Sequence, residues 1–192
     1  WLDAIFEAAW AFFLMQKHNN SLGNIHTLHS PFFDNRFYPE SYILQSITFL
    51  RLCRFKEVKR SLQGFKDRYQ AVFDDIKSIL RRYKGDPSGF FRLVYEYRSS
   101  GDTKYSQARA ILDAVSRTDS FREGRDTIRF ADQELESSER YVNKWGSTGL
   151  VDEIKNFLRD KKRVAARDSG EALYDRARNY YSYLKELSDQ TQ

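Results

Sequence analysis

Three histidines lie close together near the start of the chain, and histidine is the side chain that most often binds zinc or moves protons near neutral pH. A helix would place His26 and His29 on one face, because they are three residues apart, with His18 nearby. A zinc site needs three or four ligands, and the only further ligand close in sequence is Asp34. We therefore expect these histidines to pack at a surface or loop, and we predict no metal site.

The other reactive residue types lie in patterns that do not indicate catalysis. Cys53 is the only cysteine, which excludes an internal disulfide and a multi-cysteine zinc site. Its position between two predicted helices suits a half-buried small residue. Carboxylate pairs such as Asp74-Asp75 and Glu134-x-Glu136 lie among other charges, without sign of a shared pocket. The sequence has no phosphate-binding loop, dinucleotide fingerprint or nucleophile elbow, so we predict neither an enzyme nor a cofactor.

The composition is that of a folded protein with long helices. Of 192 residues, 41% are hydrophobic and 31% charged, while only three prolines and nine glycines interrupt the chain. Aromatic residues reach 16%, and aromatic rings fill helix–helix contacts and protein interfaces. No apolar run reaches the roughly 18–20 residues that cross a membrane. We therefore predict no transmembrane span in this chain.

The net charge of +5 raises the question of nucleic-acid binding. Two basic clusters, Arg81-Arg82-Tyr83-Lys84 and Lys161-Lys162-Arg163, could contact phosphates. Both are short and have acidic neighbours, whereas phosphate contacts require basic residues gathered on one face. Elsewhere the two signs alternate, as in residues 54–60, which favours a solvated helix face. A helical nucleic-acid-binding protein is therefore the alternative hypothesis for function.

Apolar residues recur at helical spacing between loops at residues 30–36, 85–88 and 146–149, and no strand alternation interrupts them. Between Val58 and Tyr83 the spacing continues across Gln70, which predicts one helix over about 54–84. In the C-terminal half, apolar residues alternate three and four apart, which favours two antiparallel helices packed as a hairpin. Residues 167–171 lack an apolar residue in this pattern and suggest a kink. The pattern consists of Ile128, Ala131, Leu135, Ser138, Val142 and Trp145, then Leu150, Ile154 and Phe157, then Leu173, Ala177, Tyr180, Leu184 and Leu187.

Two segments share one spacing pattern at an offset of 37 residues, and a third is weaker. The first two have large residues at the first and eighth positions, a small residue at the fifth, and a small or aliphatic residue nine positions after the eighth; the third departs from this at its fifth position, Val94. The segments read Ile5-x2-Ala8-Ala9-x2-Phe12 with Ser21 and Ile25, Tyr42-x2-Gln45-Ser46-x2-Phe49 with Val58 and Leu62, and Phe90-x2-Leu93-Val94-x2-Tyr97 with Gly101-Asp102, Ser106 and Ala110.

This pattern resembles the tetratricopeptide (TPR) repeat, a pair of helices with W-x2-L-G-x2-Y in the first and an alanine in the second. The resemblance covers roughly residues 3–117. It implies an all-α fold, with a TPR-like superhelix of two to three units over 1–117 and a long antiparallel helical hairpin over 118–192. The terminal proline of each unit is missing, with Phe33 and Gln70 in its place, and Val94 stands where a small residue is expected. An irregular helical bundle is the alternative.

In TPR proteins the first helix of each unit lines a concave groove that binds protein. The resemblance assigns nine inward positions, whose aromatic, aliphatic and arginine side chains would suit an apolar helix or extended segment with an acidic group. The Lys and Asn of the carboxylate clamp are absent, and Phe6 and Trp10 stand there instead. Another helix of the same protein could fill this groove. The nine residues are Phe6, Trp10, Phe13, Ile43, Ile47, Arg51, Phe91, Tyr95 and Arg98.

The resemblance thus predicts a non-enzymatic protein–protein interaction scaffold or adaptor that holds a peptide, a helix or another subunit. A TPR array followed by a long hairpin is similar to bacterial cell-envelope TPR proteins. That similarity implies a periplasmic or cell-envelope location, with the cytoplasm as the alternative. Because the chain begins at Trp1 inside a helical pattern, we expect an upstream segment, such as a signal sequence or a further repeat.

Overall fold

The structure, a computed structural model, describes residues 1–33, 36–101, 104–145 and 149–190, and it describes side chains in all of these except 140–145. The chain is 87% helix, and no strand occurs in the described residues, which confirms the predicted all-α class. None of the described helices is both long and apolar enough to cross a membrane. Short 3-10 helices lie at Pro31–Phe33 and Ser106–Ala108. The α-helices are α1 (Leu2–Leu14), α2 (His18–Leu28), α3 (Glu40–Arg51), α4 (Phe55–Arg82), α5 (Pro87–Ser100), α6 (Arg109–Ser116), α7 (Asp119–Trp145) and α8 (Leu150–Gln190).

Several sequence-based predictions fall on residues outside this description. They are the Asp34 ligand, Asp102, the turn at 146–148, and the side chains of Val142 and Trp145.

The helices form two compact units that are not consecutive in sequence. The first contains Trp1–Lys77, Gln107–Ala110 and Tyr180–Gln192, and the second contains Ser78–Ser106 and Ile111–Asn179. Helix α8 therefore contributes residues to both units. The predicted division at 117/118 follows the sequence pattern and stays a prediction.

The first unit contains two copies of one helix–turn–helix motif, 37 residues apart. In the first turn, Gln16 N donates to Phe13 O over 3.0 Å and Lys17 N donates to Phe12 O over 2.9 Å. In the second turn, the residues 37 positions later make the same two bonds with the same lengths (Cys53 to Leu50, Arg54 to Phe49). Gln16 and Cys53 both have a left-handed backbone, with φ of 60° and 55°. The offset found in the side-chain pattern thus recurs in the backbone.

Small residues allow α3 and α4 to cross closely. The Ser46 hydroxyl donates to the carbonyl oxygen of Tyr42 over 2.8 Å. The Ser61 oxygen lies 3.1 Å from the same carbonyl oxygen and 2.7 Å from Gln45 Oε1, and Gly64 lies against the Tyr42 ring. Ser46 is buried, as a small residue in the repeat pattern should be. Helix α4 then continues without a break across Gln70, in agreement with the helix predicted over about 54–84.

The C-terminal end of α8 completes the first unit. The ring of Tyr181 stacks on Phe73 with centroids 4.8 Å apart, and Tyr180 meets Phe37 edge to face at 5.2 Å. The Tyr183 hydroxyl donates to Glu40 over 2.6 Å. Burial, together with this bond, raises the pKa of Tyr183 above its ordinary value. The last turns of α8 are therefore part of the core around α3 and α4.

In the second unit, two glycines bring helices into backbone contact. A Cβ atom on Gly170 would lie 1.9 Å from the carbonyl oxygen of Pro87, and one on Gly124 would lie 2.2 Å from Ser169 Oγ. Helix α8 remains unbroken through residues 167–171, so the kink suggested there is not a break in the helix. The missing apolar residues in that segment are explained by close packing, which leaves no room for a large side chain.

The apolar face of α8 after the turn differs from the prediction by one residue. Val151 and Leu158 are buried, whereas Leu150, Ile154 and Phe157 are exposed. Both sets have helical spacing, so the sequence pattern fits either face. The predicted packing of Leu150, Ile154 and Phe157 is therefore wrong, while Leu173, Ala177, Leu184 and Leu187 are buried as expected.

Candidate protein-binding site

The predicted groove residues of α1 and α3 lie on one packed patch of the first unit. Ala9, Ile25 and Leu44 form its buried base. Four of the predicted residues pack against this base and remain partly exposed, and Ile43 is half-buried while Arg51 is exposed. The four residues on the base are Phe6, Trp10, Phe13 and Ile47.

Helices α1 and α3 run side by side in the same direction. Near their beginnings, the Tyr38 hydroxyl donates to Asp3 over 2.5 Å and the Tyr38 ring lies 5.8 Å from that of Phe6. One helical turn or more further along, Ala9 and Leu44 share the core cluster. The half-buried side chains of the two helices therefore form neighbouring rows, which is the arrangement that a groove wall requires.

The rows are held rigid by ring contacts. Trp10 meets Phe13 edge to face with centroids 5.9 Å apart, and Phe13 lies 5.8 Å from the ring of His18. Aromatic side chains with few free torsions lose little entropy when a partner binds. This patch can thus supply apolar contact area for a protein segment, with Arg51 available to an acidic group.

The three groove residues predicted on α5, in the second unit, differ in their exposure. Tyr95 and Arg98 are exposed, but Phe91 is only 4% exposed and its ring lies 5.7 Å from that of Phe121 on α7. Helix α7 therefore covers Phe91, as the alternative of a groove filled by a helix of the chain itself predicts for this position, and that alternative stays a prediction for the groove as a whole. The structure brings together the residues of α1 and α3, and continuity of the groove through Tyr95 and Arg98 stays a prediction.

His29 is used by the fold of the first unit. Its ring stacks on Tyr42 with centroids 4.0 Å apart, and its Nε2 lies 2.8 Å from Ser41 Oγ. The Ser41 hydroxyl donates its single hydrogen to Tyr38 O, so Nε2–H must be the donor in the bond to Ser41. Burial, the Arg68 charge and the His26 charge lower the pKa of His29 to about 4. The imidazole is therefore neutral at pH 7, and its Nε2 hydrogen is used in the bond to Ser41.

The other candidate residues for chemistry also have structural surroundings. Asp75 accepts a hydrogen bond from the backbone N of Gln107 over 3.0 Å, and Asp74 accepts one from Gln70 over 3.3 Å. Across the described residues, no three His, Cys, Asp or Glu side chains come together as metal ligands would. Cys53 is exposed, so its expected half-burial is wrong. Its backbone has a left-handed φ of 55°, a conformation that a cysteine in the sequence does not predict.

The second basic cluster is largely neutralised by acids. Lys162 forms an ion pair with Asp132, Arg163 pairs with Asp160 over 3.0 Å, and Lys161 lies over the Phe157 ring. A phosphate would have to displace these partners, which weakens the case for nucleic acid at this place.

Two sets of contacts were missed from the sequence. Ser61 takes the close-contact position of α4 that the repeat pattern gave to Val58, and the small residues Ser46, Ser61 and Gly64 together were the available signal. Nothing in the local sequence indicated that Tyr183 would reach Glu40, 143 residues away.

Comparison with protein-family models, with characterised proteins and with solved structures finds no match to this chain.

Proposed function

We propose that this protein is a non-enzymatic protein–protein interaction scaffold built on TPR-like repeats, with the partner bound by the first helix of each repeat. The observation that carries the proposal is the repeated helix–turn–helix at an offset of 37 residues, with identical turn hydrogen bonds. The weaker third segment is included in the proposal because Gly101 has a left-handed φ of 69° at the position of Gln16 and Cys53, although its backbone N donates to Tyr97 O, four residues back, rather than three. Repeats of this kind stack to expose one row of side chains for binding.

The composition of that row supports a protein as the partner. Trp10, Phe13 and Ile47 offer apolar surface that stays partly exposed although it rests on the core. Aromatic and arginine side chains contribute most of the binding energy in protein interfaces. A helix or extended segment with apolar residues and one acidic group would complement this row and Arg51.

The second part of the proposal is that α7 and α8 form an antiparallel hairpin. Asp132 pairs with Lys162, and Gly124 lies against Ser169. Residue numbers thus fall along α8 as they rise along α7, which is the pattern of antiparallel helices. A cell-envelope location is compatible with such a scaffold and remains an expectation from the family resemblance.

The experiment that tests the groove is capture of the native partner by the purified 192-residue chain. Trp10→Ala with Ile43→Ala should reduce capture at least tenfold, because both changes remove apolar contact area near the centre of the row. The control Lys161→Glu with Lys162→Glu should retain capture. Helicity and the melting temperature of every variant are measured on the same samples, since Trp10 also rests on the core.

Full capture by a folded groove variant would contradict the assignment of the site. Loss of capture only in the charge-reversed control would move the partner to α8. Retardation of mixed DNA or RNA that disappears in that control would favour the nucleic-acid alternative instead.

A further inference from the structure

The two turns of the repeated motif lie at the same end of the first unit. Helices α1 and α3 are parallel, with their beginnings joined through Asp3 and Tyr38 and their middles through Ala9 and Leu44. Their C-terminal ends therefore point in the same direction. We call residues 14–18 and 50–60, which form these ends and turns, the turn edge.

Large apolar side chains are exposed on the turn edge. Leu14 is 75% exposed and Phe55 is 62% exposed, and Met15 and Leu50 are exposed to more than half. Apolar residues are exposed in all proteins, but four of this size within the sixteen residues of the turn edge are more than a scatter of single residues. These four residues lie at helix ends and turns rather than in the groove rows, and Arg51 is the residue that the turn edge shares with the predicted groove.

The turn edge also carries the whole excess positive charge of the chain. It contains six of the 32 Lys and Arg residues and one of the 27 acidic residues, so its formal charge is +5, equal to the net charge of the protein. All six basic side chains are exposed, and none of them forms an ion pair with a described residue. The six are Lys17, Arg51, Arg54, Lys56, Lys59 and Arg60.

We propose that the turn edge binds the surface of an anionic lipid bilayer, with Leu14, Met15, Leu50 and Phe55 inserted among the acyl chains and the basic residues on the headgroups. Apolar side chains surrounded by unpaired Lys and Arg are the combination that peripheral membrane surfaces use. Exposed side chains at turns can enter a deformable bilayer surface without a matching cavity, which a protein partner would have to offer. Long basic side chains also bury their methylene groups while keeping their charge at the headgroups.

The test is flotation of the purified 192-residue chain with two kinds of vesicle, phosphatidylcholine alone and phosphatidylcholine mixed with phosphatidylglycerol. The wild-type chain should float with the anionic vesicles only, and less in high salt, because salt screens the headgroup charge. Arg54→Glu with Lys56→Glu should weaken binding about tenfold or more, since each basic residue near the surface contributes to attraction. Phe55→Ser should weaken it severalfold.

Matched controls separate the turn edge from general charge and hydrophobicity. Arg159→Glu with Lys161→Glu makes the same charge change at the same spacing on α8, and Phe157→Ser removes a ring that is 60% exposed. Both controls should float like the wild type, and all variants should keep their melting temperature, because every changed position is exposed.

Three results would overturn the proposal. The wild type could fail to float with anionic vesicles. Capture of an acidic protein or RNA by a turn edge that does not bind vesicles would be one such case. The α8 controls could lose as much binding as the edge variants, which would indicate attraction by net charge alone. The edge variants could float unchanged. None of these results bears on the groove, which contains Trp10 and Ile43 and none of the substituted residues.

Discussion

At the scale of single residues, His29 links the stability of the first unit to pH. Its pKa is lowered to about 4 in the folded chain, compared with 6.5 in an unfolded chain. The unfolded chain therefore binds more protons between these values, so this residue supports the fold fully above pH 6.5 and loses its contribution as the pH falls towards 4. The loss should approach about 3 kcal/mol.

The prediction is that the free energy of unfolding of the wild type falls over this range more steeply than that of His29→Gln. Urea titrations at a series of pH values measure the difference. The comparison variant is His26→Gln, which removes only the smallest of the three causes of the lowered His29 pKa and should therefore change the slope far less than His29→Gln does. Equal slopes for His29→Gln and the wild type would show that the imidazole is protonated without cost.

Ser21 is a second residue with a measurable effect on stability. Its side chain is fully buried in α2, and its hydroxyl has no hydrogen-bond partner among the described residues. A buried polar group without a partner costs free energy, and alanine also has the higher helix propensity. Ser21→Ala should raise the free energy of unfolding by about 1 kcal/mol. A lower melting temperature in calorimetry would indicate that the hydroxyl has a partner after all.

At the scale of helices, the contact of α8 with the start of α5 depends on a single missing side chain. Any Cβ on Gly170 would overlap the Pro87 carbonyl oxygen, which belongs to the backbone and cannot rotate away. Gly170→Ala should therefore lower the free energy of unfolding by about 1–3 kcal/mol or more.

The matched control is Gly23→Ala in α2, where a Cβ would meet nothing within 4 Å. There the gain in helix propensity should dominate and stabilise the protein by about 1 kcal/mol. Thermal unfolding of both variants compares the two glycines directly. A stabilised Gly170→Ala variant would mean that α5 and α8 do not pack as closely as described.

The helices themselves could be predicted well from sequence, because apolar spacing reports local geometry. Helix α4 follows this rule across Gln70. The rule failed where two faces were equally apolar, as with Leu150 and Val151 at the start of α8. The spacing of apolar residues indicates that a helix has an apolar face. Where two faces are equally apolar, the packing partner determines which of them is buried.

The candidate site was predictable to the same extent. Phe6, Trp10 and Ile47 pack against one buried cluster, in keeping with the 37-residue offset, and their role in a groove stays a prediction. The burial of Phe91 could not be read from its own repeat, since the ring that covers it, Phe121, comes from a helix outside the repeat pattern.

At the scale of the whole molecule, the first unit contains residues from both ends of the chain. Leu184 and Leu187 are buried in it, beside the rings of Tyr180 and Tyr181. A chain that ends after Asn179 should therefore lose several kcal/mol of stability, since each buried leucine contributes about 1.5–3 kcal/mol. Urea unfolding of residues 1–179 and of residues 1–190 compares the truncation with a matched longer chain.

A point variant tests the contribution of the end of α8 to stability without removing any of the chain. Leu184→Ala should cost about 2–5 kcal/mol, whereas Leu150→Ala, at an exposed position of the same helix, should cost little. Equal midpoints for these two variants would show that the end of α8 does not belong to the core of the first unit.

The placement of Leu184 also has a consequence for synthesis on the ribosome. Phe65, Tyr69 and Phe73 line a small cavity together with Leu184. These three residues leave the ribosome more than 100 residues before Leu184 does. At ordinary elongation rates that interval lasts on the order of 5–20 seconds. During it, the part of α4 around Phe73 lacks the cover of Tyr181 and Leu184, and a chaperone can bind there. Slow codons placed after residue 77 would lengthen this exposure and should lower the soluble yield, whereas the same codons before residue 55 should not.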